Sequence, residues 1–241
     1  MIKFEDIRDV HLEISSLCNA RCPLCPRNFK GYPFNDGYDE VNLTLAGAKK
    51  IFSPDFLRQL TSIRINGNFG DVVMNSEAPD ILEYFKSQNQ NLKLSVTTNG
   101  SARDKDFWIR IAKVAEIDFC LDGLADTHKL YRQNTDWDII IKNAKIVIEN
   151  GGTARWKFIL FDHNKHQIAE CRNMSIELGF KSFYLVDHGR NTGPVFDQNG
   201  NLKHILGNYN GPTEFTVLFH KKKTDLILLE DIVNDRRPKT K

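Results

Sequence analysis

Val10-His-Leu-Glu-Ile-Ser-Ser-Leu17 runs directly into Cys18-Asn-Ala-Arg-Cys22-Pro-Leu-Cys25, and the join between these two pieces decides how the rest of the chain is read. The first piece alternates apolar and polar residues, as a half-buried strand does. The second gathers three thiols within eight residues, in a loop stiffened by Pro23 and Pro26. The same succession of strand and polar loop recurs along the chain. Apolar, β-branched runs predict strands at Val10–Leu17, Ser62–Asn66, Leu92–Thr97, Ile117–Leu121, Arg155–Phe161 and Ser182–Val186. Between them, helical periodicity predicts helices over Thr44–Phe52 (continuing toward Gln59), Ala78–Ser87, Lys105–Val114, Trp137–Asn150 and Lys165–Leu178. Gly151 and Gly179 stand where the last two of these should stop, because glycine tolerates the left-handed cap.

Regular alternation of strand and helix implies a parallel sheet with right-handed crossovers, either an open doubly wound sheet or an incomplete barrel. In both, ligands bind beyond the carboxyl ends of the strands, so the residues after each strand carry the functional information. Strand one runs into the cysteines and strand two into Asn66-Gly67-Asn68-Phe69-Gly70-Asp71. Strand three runs into Thr97-Thr98-Asn99-Gly100, and strand four into Asp122-Gly123. Beyond Asp187 the period fades. His188–Gly211 is rich in Gly and Asn, Phe215–Phe219 and Leu226–Leu229 suggest short strands or a hairpin, and the end at Asp235–Lys241 has the composition of a frayed basic tail.

Composition narrows the classes. Hydrophobic residues are 41% and charged residues 27%, with a net charge of +2, which is ordinary for a folded globular chain and implies neither a nucleic-acid nor a membrane partner. No stretch approaches the roughly 20 apolar residues of a spanning helix, and Met1–Val10 carries charges where a signal peptide carries an apolar run. A cytoplasmic location is expected, and in a reducing compartment clustered cysteines point to metal rather than to disulfides. Three readings of Cys18, Cys22 and Cys25 compete: an iron–sulfur cluster with one iron left open, a structural zinc, or buried unligated thiols. Zinc prefers four Cys or His ligands, and no fourth stands nearby, since His11 belongs to the first strand and Cys120 is distant.

The CxxxCxxC string directly after the first strand of a repeating βα chain resembles the signature of radical S-adenosylmethionine (SAM) enzymes, and the likeness covers residues 8 to 190. Gly70-Asp71 occupies the place of that family's Gly-Gly-Glu motif, and the longer string before it is most like the branch that often carries a SPASM or twitch extension. Thr98-Asn99-Gly100 resembles the family's turn after strand three. Asp122-Gly123 with His128 and Arg132 resembles its strand-four segment. Leu24 stands where many relatives have an aromatic residue beside the adenine, and Cys120 where relatives often have Ser.

The resemblance implies an α/β fold, a partial (β/α)6 TIM-like barrel over residues 8–190 with a short irregular C-terminal extension over 191–241. It implies a 4Fe-4S cluster on Cys18, Cys22 and Cys25 whose open iron holds SAM. The expected SAM contacts are Leu24, Gly70, Asp71, Asn99, Asp122, Arg132, Asn164 and Val186, with Asn164 also placed as a helix N-cap. The implied reaction is reductive cleavage of SAM to a 5′-deoxyadenosyl radical that takes hydrogen from a peptide or small metabolite. An external electron donor such as a flavodoxin or ferredoxin is implied with it, and an oxidoreductase outcome is one expectation. No cysteine follows Cys171, so no auxiliary cluster is expected in the remainder of this chain, and Cys171 itself reads as a core residue. His188, Arg190 and Asp197 are polar candidates for substrate contact. A non-catalytic metal or iron–sulfur protein on a barrel scaffold is the competing class. A phosphate-binding loop at Gly67–Gly70 is disfavoured, because no Lys-Ser/Thr follows.

Overall fold

The computed structural model describes residues 3–25, 27–29, 32–33, 39–187, 193–196, 201–207 and 217–219. Six strands, β1 (Asp9–Leu12), β2 (Ser62–Asn66), β3 (Lys93–Thr98), β4 (Glu116–Cys120), β5 (Thr153–Leu160) and β6 (Ser182–Asp187), pair in parallel in strict chain order. A doubly wound sheet would reverse its strand order at a switch point. This one does not, so the sheet is an incomplete (β/α) barrel, open where β1 ends it. A short antiparallel strand, Val217–Phe219, closes on the outer side of β6 and partly meets the strand expected at Phe215–Phe219.

Helices α1 (Leu45–Ile51), α2 (Pro54–Gln59), α3 (Ala78–Gln88), α4 (Lys105–Ala112), α5 (Ala125–Tyr131), α6 (Trp137–Glu149) and α7 (Ile168–Glu177) run between the strands. The helix expected to continue through Gln59 is two helices. Pro54 disfavours helical geometry at Ser53, whose hydroxyl instead accepts from Phe56 N at 3.3 Å and starts α2 afresh. Thr44, Asp104 and Asp136 cap α1, α4 and α6 in the same way. Gly151 and Gly179 sit at φ +78° and +86°, as their stop roles require.

The first strand is shorter than expected. Pairing with β2 ends at Leu12, and the chain then crosses to a different partner: Leu43 N donates to Ile14 O, Ser16 N donates to Val41 O, and Ser15 bridges Asn42. The alternation through Ile14 is real, since Ile14 is buried, but its burial comes from this second contact. Two further corrections concern α5, a seven-residue helix absent from the expected set, and the hairpin of Gly193–Phe196 with Leu202–Leu206, which lies inside a segment read as irregular. Leu226–Leu229, the tail Asp235–Lys241, and His188, Arg190 and Asp197 lie outside the described residues.

The main core lies between sheet and helices, with Trp108, Phe119, Trp156 and Phe183 fully buried and Cys171 among them. The indole N–H groups donate to Ala102 O and Leu121 O, so neither tryptophan leaves a polar atom stranded. A second, smaller cluster sits apart at the carboxyl ends of the strands. There Ile159, Phe161 and Val186 meet Tyr131 from α5, Val195 and Leu206 from the hairpin, and Ala20 and Cys22 from the cysteine loop. This cluster seats the loop on the mouth of the barrel.

Candidate metal centre and cofactor site

The cysteine loop is fastened from several sides. Asp71 N donates to Leu17 O at 2.8 Å, Arg21 N to Gln133 O at 2.8 Å, and Asn28 Nδ2 to Cys22 O at 3.2 Å. Asn134, at φ +59° in the turn after α5, donates through Nδ2 to Asn19 O at 2.6 Å. Gly70 is obligatory for a steric reason, because a Cβ there would stand 1.9 Å from Ser15 O. The loop after β2 therefore lies flat against the chain leading into the cysteines.

Cys18, Cys22 and Cys25 are unbridged; Cys22 is buried and the other two are half-buried. Two of the sulfurs lie beside polar side chains. Asn99 Nδ2 lies 3.8 Å from Cys18 Sγ, and Arg132 Nη1 lies 3.8 Å from Cys22 Sγ. Cys25 Sγ lies 3.7 Å from Asn68 O. Burial pushes the Cys22 thiol up to about 11, against the pull of the Arg132 guanidinium, and raises Cys18 strongly, with Asp71 and the other two thiols adding to the rise. Thiols so placed stay protonated when free and lose their protons on binding a metal.

The donor set fits an iron–sulfur cluster. N–H groups aimed at cysteine sulfur are the outer contacts that tune such centres, whereas a free thiol is a weak acceptor that gains little from them. No three His, Cys, Asp or Glu side chains among the described residues come together in the way a single metal ion needs.

The Asp71 carboxylate is met by four donors of the protein. Its Oδ1 accepts from Thr98 Oγ1 at 2.6 Å and Val73 N at 3.1 Å, and its Oδ2 from Asn99 N at 2.7 Å and Asn99 Nδ2 at 2.8 Å. Four donors occupy the four lone-pair positions of a carboxylate. Burial raises its pKa, and these hydrogen bonds oppose the rise. What the loop presents toward the cysteines is Asn99, whose Nδ2 also reaches Asn19 Oδ1 at 2.9 Å.

Asp122, fully buried at the end of β4, spends Oδ1 on Ile159 N and Oδ2 on Arg132 Nε, both at 2.6 Å. Its backbone N–H donates to His128 Nδ1 at 3.1 Å, which leaves the proton of the neutral ring on Nε2, facing Thr135 Oγ1 at 3.1 Å. Asn164 is not the expected helix cap. Its Nδ2 donates to Ile159 O at 2.9 Å and Asp122 O at 3.2 Å, and its Oδ1 accepts from Phe161 N at 2.8 Å, tying the ends of β4 and β5 together. Leu24 and Val186 both join the small cluster at the mouth, on the side of Cys22. Tyr131 and Phe161, with ring centroids 4.7 Å apart, complete that wall.

No family model and no curated protein matches the chain. Solved structures do match it. SuiB from Streptococcus suis bound to S-adenosylmethionine aligns with 95% of this chain and 47% of its own, at TM-score 0.63 and 19% identity. SuiB has also been solved bound to its precursor peptide SuiA, with TM-score 0.62, 18% identity and 75% of this chain against 39% of that one. TsrM from Kitasatospora setae, a radical S-adenosylmethionine methyltransferase with cobalamin and a 4Fe-4S cluster bound, aligns with 75% of this chain and 34% of its own at TM-score 0.53 and 12% identity. The chain has the radical SAM fold. It spans about half or less of the length of these structures. The radical SAM fold puts the described loops after β1 to β4 at one end of the sheet, the end at which the cysteines stand.

Among the described residues, no helix is long and apolar enough to cross a membrane.

Proposed function

We propose that this chain is the barrel of a radical SAM enzyme. The observation that carries the proposal is the trio of unbridged cysteines at the barrel mouth, with Arg132 Nη1 directed at Cys22 Sγ and the Asn99 amide 3.8 Å from Cys18 Sγ. Cys18, Cys22 and Cys25 would hold the cluster, leaving one iron for the amino and carboxylate groups of SAM. When bound, a reduced 4Fe-4S cluster supplies the electron that opens SAM to a 5′-deoxyadenosyl radical able to take hydrogen from a substrate. The chain's own part is to bind, orient and exclude water. Leu24 and Val186, which share an apolar cluster, would cover the adenosyl part, and Gly70 and Asn99 would meet the methionine part. Asp71 acts behind Asn99, and Asn164 fixes the strand ends beneath them.

A peptide is the substrate class we favour, on the likeness to SuiB, which has been solved with a precursor peptide. The electron would come from a flavodoxin- or ferredoxin-type donor.

The test is SAM cleavage by the anaerobically reconstituted chain with dithionite as reductant. Release of 5′-deoxyadenosine by the wild type, lost in Cys22→Ala, is the expected result. Iron uptake with no SAM cleavage and no SAM binding would instead identify a non-catalytic iron–sulfur protein.

A further inference from the structure

Arg132 is held at both ends. Its backbone carbonyl accepts from Thr135 Oγ1 at 2.6 Å, and Thr135 is in turn met by His128, whose other ring nitrogen accepts from Asp122 N. Its side chain returns to the same residue, with Nε 2.6 Å from Asp122 Oδ2. The Asp122 carboxylate cannot swing away, because its other oxygen is bound to Ile159 N. The guanidinium carbon lies 5.1 Å from the centre of the Tyr131 ring, which covers one face. A closed ring of hydrogen bonds thus fixes a positive charge whose Nη1 ends 3.8 Å from Cys22 Sγ. The Arg132 side chain is 14% exposed and that of Asp122 not at all, so solvent screens this charge weakly.

We propose that Arg132 is a positioning residue for the cluster, setting the potential at which it takes up its electron, and that it is not the contact for the SAM carboxylate. The proposal rests on the cluster reading given above. Adding an electron makes an iron–sulfur centre more negative, so a fixed cation and an N–H donor beside a ligand sulfur favour the reduced form. Asp122 has the opposite charge and lies one residue further away. It anchors the guanidinium and partly offsets it. The planar fork of arginine allows Nε to serve the carboxylate while Nη1 serves the sulfur, which the single ammonium of lysine cannot do in the same geometry.

The experiment is a redox titration of the reconstituted full chain without SAM, followed by EPR, on the wild type, Arg132→Gln, Arg132→Lys and Asp122→Asn. SAM affinity of each oxidised protein is measured by equilibrium binding. Arg132→Gln should lower the midpoint by at least ~59 mV, a tenfold change in the one-electron equilibrium, with SAM affinity altered less than threefold. Arg132→Lys, which keeps the charge and loses the fork, should fall between it and the wild type. Asp122→Asn removes a negative charge and should move the midpoint upward. Shifts of opposite sign in the two charge variants separate an electrostatic role from mere loosening of the loop, which would move both the same way. Unchanged midpoints with SAM affinity reduced tenfold or more in Arg132→Gln would overturn the proposal and return Arg132 to the SAM carboxylate. If Arg132→Gln takes up no iron, the lysine and Asp122 variants decide by the same criteria. A wild type that binds no iron would overturn the cluster reading and this inference with it. Iron uptake with coincident midpoints would overturn this inference alone.

Discussion

Replacing Asp71 should cost the protein stability before any ligand is added. Four donors converge on its carboxylate, from Val73 N, Thr98 Oγ1, Asn99 N and Asn99 Nδ2, at 2.6 to 3.1 Å. In Asp71→Ala, Asn99 Nδ2 keeps Asn19 Oδ1 as a partner, but the backbone N–H groups of Asn99 and Val73 lose theirs. A buried donor left unpaired costs ~1–3 kcal/mol, and relief of the carboxylate's own desolvation offsets part of the sum. The net expectation is a loss of about 3 kcal/mol, out of a total that for most domains is ~5–15 kcal/mol. With a urea m value of about 3 kcal/mol per molar, the unfolding midpoint of the metal-free protein should fall by about 1 M, with m unchanged. Asp71→Asn should fall between the two. It keeps an oxygen for Thr98 and Val73 but turns an amide donor toward the two donors of Asn99. A variant as stable as the wild type that had lost only SAM affinity would refute this reasoning and show the carboxylate to be held free for the ligand.

Gly70→Ala should be as costly, since the added Cβ overlaps Ser15 O; a loss of about 3 kcal/mol in chemical denaturation, together with reduced iron uptake, is expected, and a wild-type midpoint would show that the loop yields. The buried imidazole of His128 is held down to about 4 by desolvation, against about 6.5 when unfolded. Its folded pKa is depressed, so its stabilisation is complete above pH 6.5 and is lost as pH falls toward 4, by up to about 3 kcal/mol. The wild-type minus His128→Gln difference in unfolding free energy should therefore shrink between pH 7 and pH 4. A constant difference would contradict the neutral-ring assignment.

Much of the barrel is legible in the sequence, because its strands are buried and end on turn residues. Ser62–Asn66 has the expected limits, and β6 departs only at Asp187. Alternation through Val10–Leu17 misleads because burial has a period but no named partner; Ile14 is buried against the Leu43 segment and not along β2. Helix α5 is too short for its period to stand out after Asp122-Gly123. In the site, the cysteines are legible because all three lie in one loop. The contact of Arg132 with Cys22 spans 110 positions and that of Asp71 with Asn99 spans 28, so no local pattern announces either. The Asp-Gly pair and the Arg ten residues after Asp122 could have flagged the ion pair.

Whether three thiolates hold a cubane at the barrel mouth is decided by the metal and sulfide content of the anaerobically reconstituted chain. About four irons and about four sulfides per chain are expected, lost together in Cys22→Ala while the fold persists. Tight uptake of a single zinc or iron without sulfide would contradict this.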